Sequence, residues 1–372
     1  MVAGALGFLM KMSIVKKMPA FAGTTEVAEL SMALSPLWQR RLAVFRAHRR
    51  GRLSLAVFGV VFIISMGANF IANDKPLLLM YNGHLYVPAI QPIAENTFGP
   101  DFLPTEADYT NPQVKAAINA HGWMIWPPIP YRYDTIVWNA GSAAPAPPSA
   151  RNWLGTDEVS RDVLSRVIYG LRLSILFGFG LTIVASIIGI VAGAVQGFYG
   201  GLTDLFFQRF IEIWSGMPQL FLLIIMSSII APSFWVLLVF LLLFSWMTLT
   251  GVVRAEFLRA RNLDYVRAAK AIGVADWRIM LRHMLPNAMI ATLTFLPFIL
   301  SDSVTLLASL DFLGFGMPPG SPSLGELVAE AKDNLQAPWL GFTAFIVLGG
   351  VLILLIFIGE AVRDSFDPRK TQ

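Results

Sequence analysis

Residues 254–286 read RAEFLRARNLDYVRAAKAIGVADWRIMLRHMLP, a basic and largely helical island between two apolar spans. Residues 265–272 are good helix formers, Gly273 permits the positive φ that ends or bends a helix, and Asp276 is placed to cap a second helix from Trp277. The spacing predicts helix, turn, helix. On the first of these helices Ala268, Ala269 and Ala271 stay small while Arg267 and Lys270 project sideways, so this face can enter a groove without steric conflict.

Composition places that island in a membrane protein. Hydrophobic residues make up 55% of the 372-residue chain and charged residues only 14%, well below the usual charged share of about 25%. A net charge of +4 is too small and dispersed to argue for nucleic acid, and the basic residues gather beside apolar spans, where cytoplasmic loops place them. The chain has no cysteine and four scattered histidines, which leaves neither a disulfide framework nor a metal-ligand spacing. Phosphate-cradling, serine-nucleophile and His-Glu-x-x-His patterns are all missing, so no catalysis is expected of this chain and no cofactor within it.

Residues 254–286 resemble the cytoplasmic coupling loop of ABC importer permeases, whose pattern is Glu-Ala-Ala, three residues, Gly, nine residues, Ile, any residue, Leu-Pro. Ala268, Ala269, Gly273, Leu285 and Pro286 fall on it, whereas Arg267 stands where the family has Glu and His283 where it has Ile. A second stretch, Leu154, Gly155, Thr156 and Asp157 followed by Arg161 and Asp162, is similar to the Leu-Gly-Thr-Asp, two residues, Gly-Arg-Asp segment of C-type dipeptide and oligopeptide permeases, with Ser160 replacing the Gly.

The rest of the chain fits six spans, at 53–71, 174–198, 206–230, 234–253, 288–310 and 340–358. Arg40, Arg41, Arg46, Arg49, Arg50 and Arg52 precede the first, which predicts a cytoplasmic N terminus; parity then puts 254–286 and the tail with Arg363, Arg369 and Lys370 inside as well. The domains expected are a cytoplasmic extension and basic segment (1–52), a first span (53–71), a periplasmic insert (72–151) and a permease core with five spans (152–372). Residues 1–31 read as a flexible extension, or as a start assigned ahead of Met32, because their lysines follow the apolar stretch where a signal peptide would put them first.

Asn82-Gly83 between short apolar runs predicts a type I′ hairpin in the insert, and Trp123, Trp126, Tyr131, Tyr133 and Trp138 form either a small core or a partner surface. Residues 143–149, AAPAPPS, read as a stiff linker, and Ser160 as the cap of a surface helix before the second span. Small residues in that span, from Gly178 to Ala194, predict close helix packing; Pro218 and Pro297 are possible kinks, and Ser323 caps a short outer helix, a lid or a plain surface helix. Charge within the spans is confined to Arg209 with Glu212, an expected structural pair, and Asp302, which either lines a pathway and meets the amino group of a passing peptide or is bonded or protonated near Ser301 and Ser303.

The long insert makes the chain most like the Yej-type subgroup of these permeases. The resemblance implies an all-α polytopic membrane protein, a type I ABC importer transmembrane domain with six helices and a periplasmic insert carrying a small β-hairpin. It also implies a multi-pass subunit of the bacterial inner membrane for oligopeptides or peptide-like compounds such as microcin C. Its partners would be a second permease chain, two ATPase domains that bind ATP and magnesium, and a periplasmic substrate-binding protein. Alternating access would be driven through Arg267, Ala268, Ala269, Gly273, Leu285 and Pro286. A secondary transporter or channel acting alone would need coupling charges or paired broken helices, and a membrane enzyme would need a catalytic cluster.

Overall fold

The computed structural model describes residues 36–99, 102–138 and 143–367; the expectations for 1–31 and for Arg369 and Lys370 lie outside them. In chain order the elements are α1 Pro36–Ala47, α2 Arg49–Met66, β1 Leu78–Tyr81, β2 His84–Tyr86, α3 Pro112–His121, β3 Gly122–Ile125, α4 Val163–Tyr199, α5 Gly201–Ser215, α6 Gln219–Ile229, α7 Phe234–Ala260, α8 Asp264–Ala271, α9 Asp276–Ile279, α10 Leu285–Phe312, α11 Leu324–Asp333 and α12 Pro338–Phe366. The fold is mainly helical, with one small sheet.

Among the described residues four helices are long and apolar enough to cross a membrane: α4, α7, the run Asp276–Phe312 that joins α9 to α10, and α12. The expected span at 206–230 is instead two helices, α5 and α6, bent by 69°. Pro218 stands at the cap of α6, and a proline there removes a backbone donor and turns the preceding residue away from helix. The arginine-rich segment is helical: α1 leads into α2, whose cap His48 accepts the Gly51 N–H at 3.1 Å. α2 has 18 residues and three arginines in its first turn, Gly67 ends it, and Ala68–Ile71 adds one more turn.

The surface helix expected before the second span is not separate. α4 runs 37 residues without a break, about 55 Å at 1.5 Å per residue, longer than a hydrocarbon core of about 30 Å. Its extra turns belong to the end of the bundle that carries the insert. Its cap is Asp162, which accepts the Ser165 N–H at 2.8 Å, and not Ser160. Farther along, a Cβ at Gly189 would lie 2.6 Å from the Trp246 carbonyl oxygen and one at Gly193 2.6 Å from that of Thr250. α4 and α7 therefore meet backbone to backbone, the close packing that the small residues predict. On its other flank α4 shares a core with α2, α11 and α12, through Phe58, Val167, Ile175, Leu327, Leu340 and Leu355.

The insert is a folded unit. Its sheet has strand order β2-β1-β3, all antiparallel, with Met80 opposite Leu85 on one side and Trp123 on the other. Asn82 at φ 49° and Gly83 at φ 80° make the type I′ turn. α3, capped by Asn111, covers one face, and Tyr81, Phe98, Tyr109, Val114 and Ile118 form the core. The five aromatics do not act together. Trp126 borders this core, Tyr131 and Tyr133 pack on Ile168 and Tyr169 of α4, and Trp123 and Trp138 are exposed. The stretch 143–149 is pinned, not a free linker: Ala146 is buried, its N–H donates to Thr156 Oγ1 at 2.8 Å, and its carbonyl accepts the Thr156 N–H at 2.9 Å.

Candidate functional site

Two constellations stand out at opposite ends of the bundle. At one end α8 and α9 form the expected helix–turn–helix. Gly273 adopts φ 77° between them, in the left-handed region that L residues with a Cβ rarely enter. Asp276 begins α9, with Ala275 in the cap position and no side-chain cap bond, so the capping role expected of Asp276 is not filled.

Val266 and Ala269 of α8 and Ile279 of α9 are buried with Phe198, Val253 and Phe257 from the ends of α4 and α7. Lys270 Nζ sits 4.3 Å from the centroid of the Phe198 ring. Arg254 of α7 reaches Asp204 of α5 through two bonds, Nε to Oδ1 at 2.5 Å and Nη2 to Oδ2 at 2.6 Å, which tie the helix beneath the element to α5. What it turns outward is both basic and apolar: Arg267, Ala268, Ala271 and Arg278 are exposed, as are Ile272, Trp277 and Leu281.

Leu285 and Pro286 do not end a helix here. Between α9 and α10 the chain makes a π turn, Met280–Met284, and the Leu285 N–H donates to the Met280 carbonyl. A proline in a regular α-helix clashes with the carbonyl four residues back; the wider turn just before Pro286 relieves that clash and keeps the helix continuous.

At the other end lies a buried ion cluster. Arg166, fully buried in α4, donates through Nη1 to Asp157 Oδ2 at 2.6 Å and to Glu330 Oε1 at 2.5 Å, and its Nη2 stands 3.0 Å from Glu326 Oε2. Arg161 bonds Asp157 at 2.6 Å and Glu330 at 3.2 Å. Asp162 is held by Asn152 Nδ2 at 2.8 Å and by Ser165; burial pushes its carboxyl above the ordinary range against the pull of those bonds. The residues of the Leu-Gly-Thr-Asp…Arg-Asp stretch thus fasten α11, from the far side of the chain, onto the start of α4. Three carboxylates face two guanidiniums, and burial pushes the Glu330 carboxyl up to about 7 although Arg166 pulls it down.

Ser160, the departure from the permease pattern, has φ 64°, a conformation that costs a residue with a Cβ about 1–2 kcal/mol. Ser160→Gly is therefore expected to stabilise the protein, by up to about 1 kcal/mol once the freer unfolded chain is counted. A higher midpoint in detergent melting would show it, and an unchanged or lower one would contradict it.

Of the remaining sequence-read residues, Arg209 and Glu212 form an exposed pair at 2.5 Å. Ser323 caps α11 by accepting the Gly325 and Glu326 N–H groups. Asp302 is exposed on α10 while Ser301 and Ser303 are buried, and neither serine bonds it. Sequence reasoning missed Arg166, Glu330 and Asp311, the last of which is buried and accepts from Ser323 Oγ and, at 2.6 Å, from the Met317 N–H. Isolated charges flanking apolar runs were the only signal for them.

Known proteins are similar to this chain in sequence. Residues 185–372 match the family described as binding-protein-dependent transport system inner membrane component. The chain is 57% identical over 337 residues to the inner membrane ABC transporter permease protein YejE of Escherichia coli, covering 91% of this chain and 98% of that protein. It is 55% identical over 361 residues to the peptidoglycan transport system permease protein YejE of Agrobacterium fabrum, covering 91% and 94%. The oligopeptide transport system permease protein OppC of Lactococcus lactis is 34% identical over 230 residues, or 60% of this chain and 78% of that one. The chain belongs to the inner membrane components of binding-protein-dependent transport systems, as a Yej-like permease, a transport subunit and not an enzyme.

Proposed function

We propose that this permease carries oligopeptides or peptide-like compounds, such as microcin C, inward across the bacterial inner membrane by alternating access. It pairs with a second permease chain, takes cargo from a periplasmic binding protein, and is driven by two ATPase domains that bind magnesium and ATP and hydrolyse the ATP. Both termini and the loop 254–286 face the cytoplasm in this reading, the insert faces the periplasm, and the domain limits are those of the sequence reading. Its cargo class follows the oligopeptide permease OppC, to which the chain is similar.

The observation that carries this reading is the two-sided build of α8 and α9. Val266, Ala269 and Ile279 are sunk in the bundle, while Ala268, Ala271, Ile272, Trp277 and Leu281 are exposed. Large apolar side chains gathered on a protruding element mark a docking surface. Ala268 and Gly273 keep the approach close, Ala269 and Leu285 hold the element to the spans, and Arg267 and Pro286 flank it.

Ile272→Asp tests it. In the detergent-solubilised permease pair this change is expected to weaken retention of the ATPase subunits by about tenfold or more, as a buried carboxylate does at an interface centre. Full retention by the variant, or peptide uptake by this chain without ATPase partners, would overturn the proposal.

A further inference from the structure

α10 carries a polar stripe that the coupling role leaves unused. Asp302, Thr305 and Ser309 are all exposed, and their spacing of three and then four residues puts them on one helical face. The Thr305 hydroxyl donates to the Ser301 carbonyl at 2.9 Å and that of Ser309 to the Thr305 carbonyl at 2.8 Å, so both present lone pairs outward as acceptors. Asp302 has no hydrogen bond or ion pair among the described residues. It stands ten residues before the end of α10 at Phe312, about 15 Å along the helix and so near the middle of a hydrocarbon core of about 30 Å.

The same face continues toward α8. Phe295 is exposed about two turns below Asp302, and beyond it Asn287, Ala291 and Thr294 line a cleft of about 830 Å³ whose other walls carry both signs of charge, Glu256 and Glu360 with Arg41, Arg259 and Arg363. The stripe is thus polar at both ends and interrupted by aromatic bulk, and its cleft opens at the end that carries the docking element. A carboxylate at this depth is costly against lipid and faces a cavity or a cation. An acceptor-only row of this kind complements a protonated amine, which has three donors and no acceptor.

We infer that this face of α10 lines the cargo path and that the Asp302 carboxylate receives the protonated amino terminus of a peptide; the inference rests on the peptide-permease reading above. Thr305 then supplies a further acceptor to the same ammonium group or to the first peptide N–H.

Because the chain has no cysteine, single replacements report access directly. In inverted membrane vesicles holding the assembled transporter, Thr305→Cys and Ser309→Cys are expected to react with a membrane-impermeant thiol reagent. Ile353→Cys, on an exposed apolar part of α12, is expected to stay unlabelled. Trialanine should slow labelling of Ser309→Cys, in which Asp302 and Thr305 are both intact, whereas N-acetyltrialanine, which lacks the amine, should not. Adding Asp302→Asn should raise the trialanine concentration needed by about tenfold or more, the loss of one charge-assisted hydrogen bond, while Asp302→Glu retains protection. If neither cysteine is labelled, the face is covered by lipid or by the second permease and the inference fails. If labelling occurs but neither peptide protects, if both protect equally, or if Asp302→Asn changes nothing, the role of Asp302 fails. Each of these leaves the peptide-permease reading standing, since that is lost separately through ATPase retention.

Discussion

Gly273→Val is expected to abolish peptide uptake while leaving the protein in the membrane at its normal abundance. The position has φ 77°, and a Cβ added there would meet nothing within 4 Å. The penalty is therefore backbone strain alone, on the order of 1 to 3 kcal/mol for a β-branched residue. Relief comes from rotating the turn, which swings Ile272 and Trp277 away from the positions set by Val266 and Ile279. With partner subunits present, ATP hydrolysis should lose its stimulation by loaded binding protein. Arg267→Glu, which restores the residue common to coupling loops, should be milder, because Arg267 is exposed and its replacement leaves the backbone alone. Reconstituting both variants and measuring hydrolysis together with uptake decides the matter: normal transport by the valine variant would remove the loop from the coupling path.

Arg166→Leu is expected to be the most destabilising single change at the insert end. It removes one of two guanidiniums from a buried site that contains Asp157 and Glu330, with Glu326 at its edge. Stranding buried carboxylates costs about 3–5 kcal/mol, a large part of a typical total of about 5–15 kcal/mol. α11 should then detach from α4 and become open to proteolysis. Because apolar replacement of a whole buried pair is often neutral, Arg166→Met combined with Glu330→Leu should recover much of the loss, leaving Asp157 to Arg161. A single variant that melts like the parent would show that the cluster contributes nothing.

The same cluster fixes a pH dependence. Glu330 titrates near 7 in the folded chain and at about 4.3 when unfolded, so between those values the folded state holds a proton that the unfolded state has released. Its contribution is full below the unfolded value and is lost as pH rises through 7. Melting temperature should fall from pH 5 to pH 8 and do so less steeply in Glu330→Gln.

Features set by neighbours in sequence were legible beforehand. Asn82-Gly83 specifies its turn from two residues, Ser323 caps α11 from one, and Gly273 divides α8 from α9 because only its own φ is at issue. Ala268, Ala269 and Gly273 are assigned to the coupling loop by resemblance to the permease pattern, and that role stays a proposal. The ion cluster was not legible, because Arg166 and Glu330 are 164 positions apart and only the fold makes them neighbours. Nor was β3, whose four residues are too few for alternation to register and which pairs with a strand some forty residues earlier. The break at 216–218 was read only as a kink at Pro218, although Gly216, which ends α5, and the change from the charged α5 to the apolar α6 also mark it. The continuity of α4 was hidden because Ser160, read as a cap, marks off a separate surface helix, whereas the cap is Asp162 and burial of Arg166 lets one helix run through.

The π turn ahead of Pro286 has a mechanical meaning. α10 extends 28 residues beyond it, about 42 Å, and is a lever whose softest point lies at its base. Each degree of tilt there displaces the far end by about 0.7 Å, given that rise per residue. Phe312 and the adjoining Asp311, which grips Ser323, sit at that far end. Pro297, inside the lever and five residues before Asp302, is a second compliant joint, so the arm can flex below the polar stripe without disturbing the spacing of Asp302, Thr305 and Ser309.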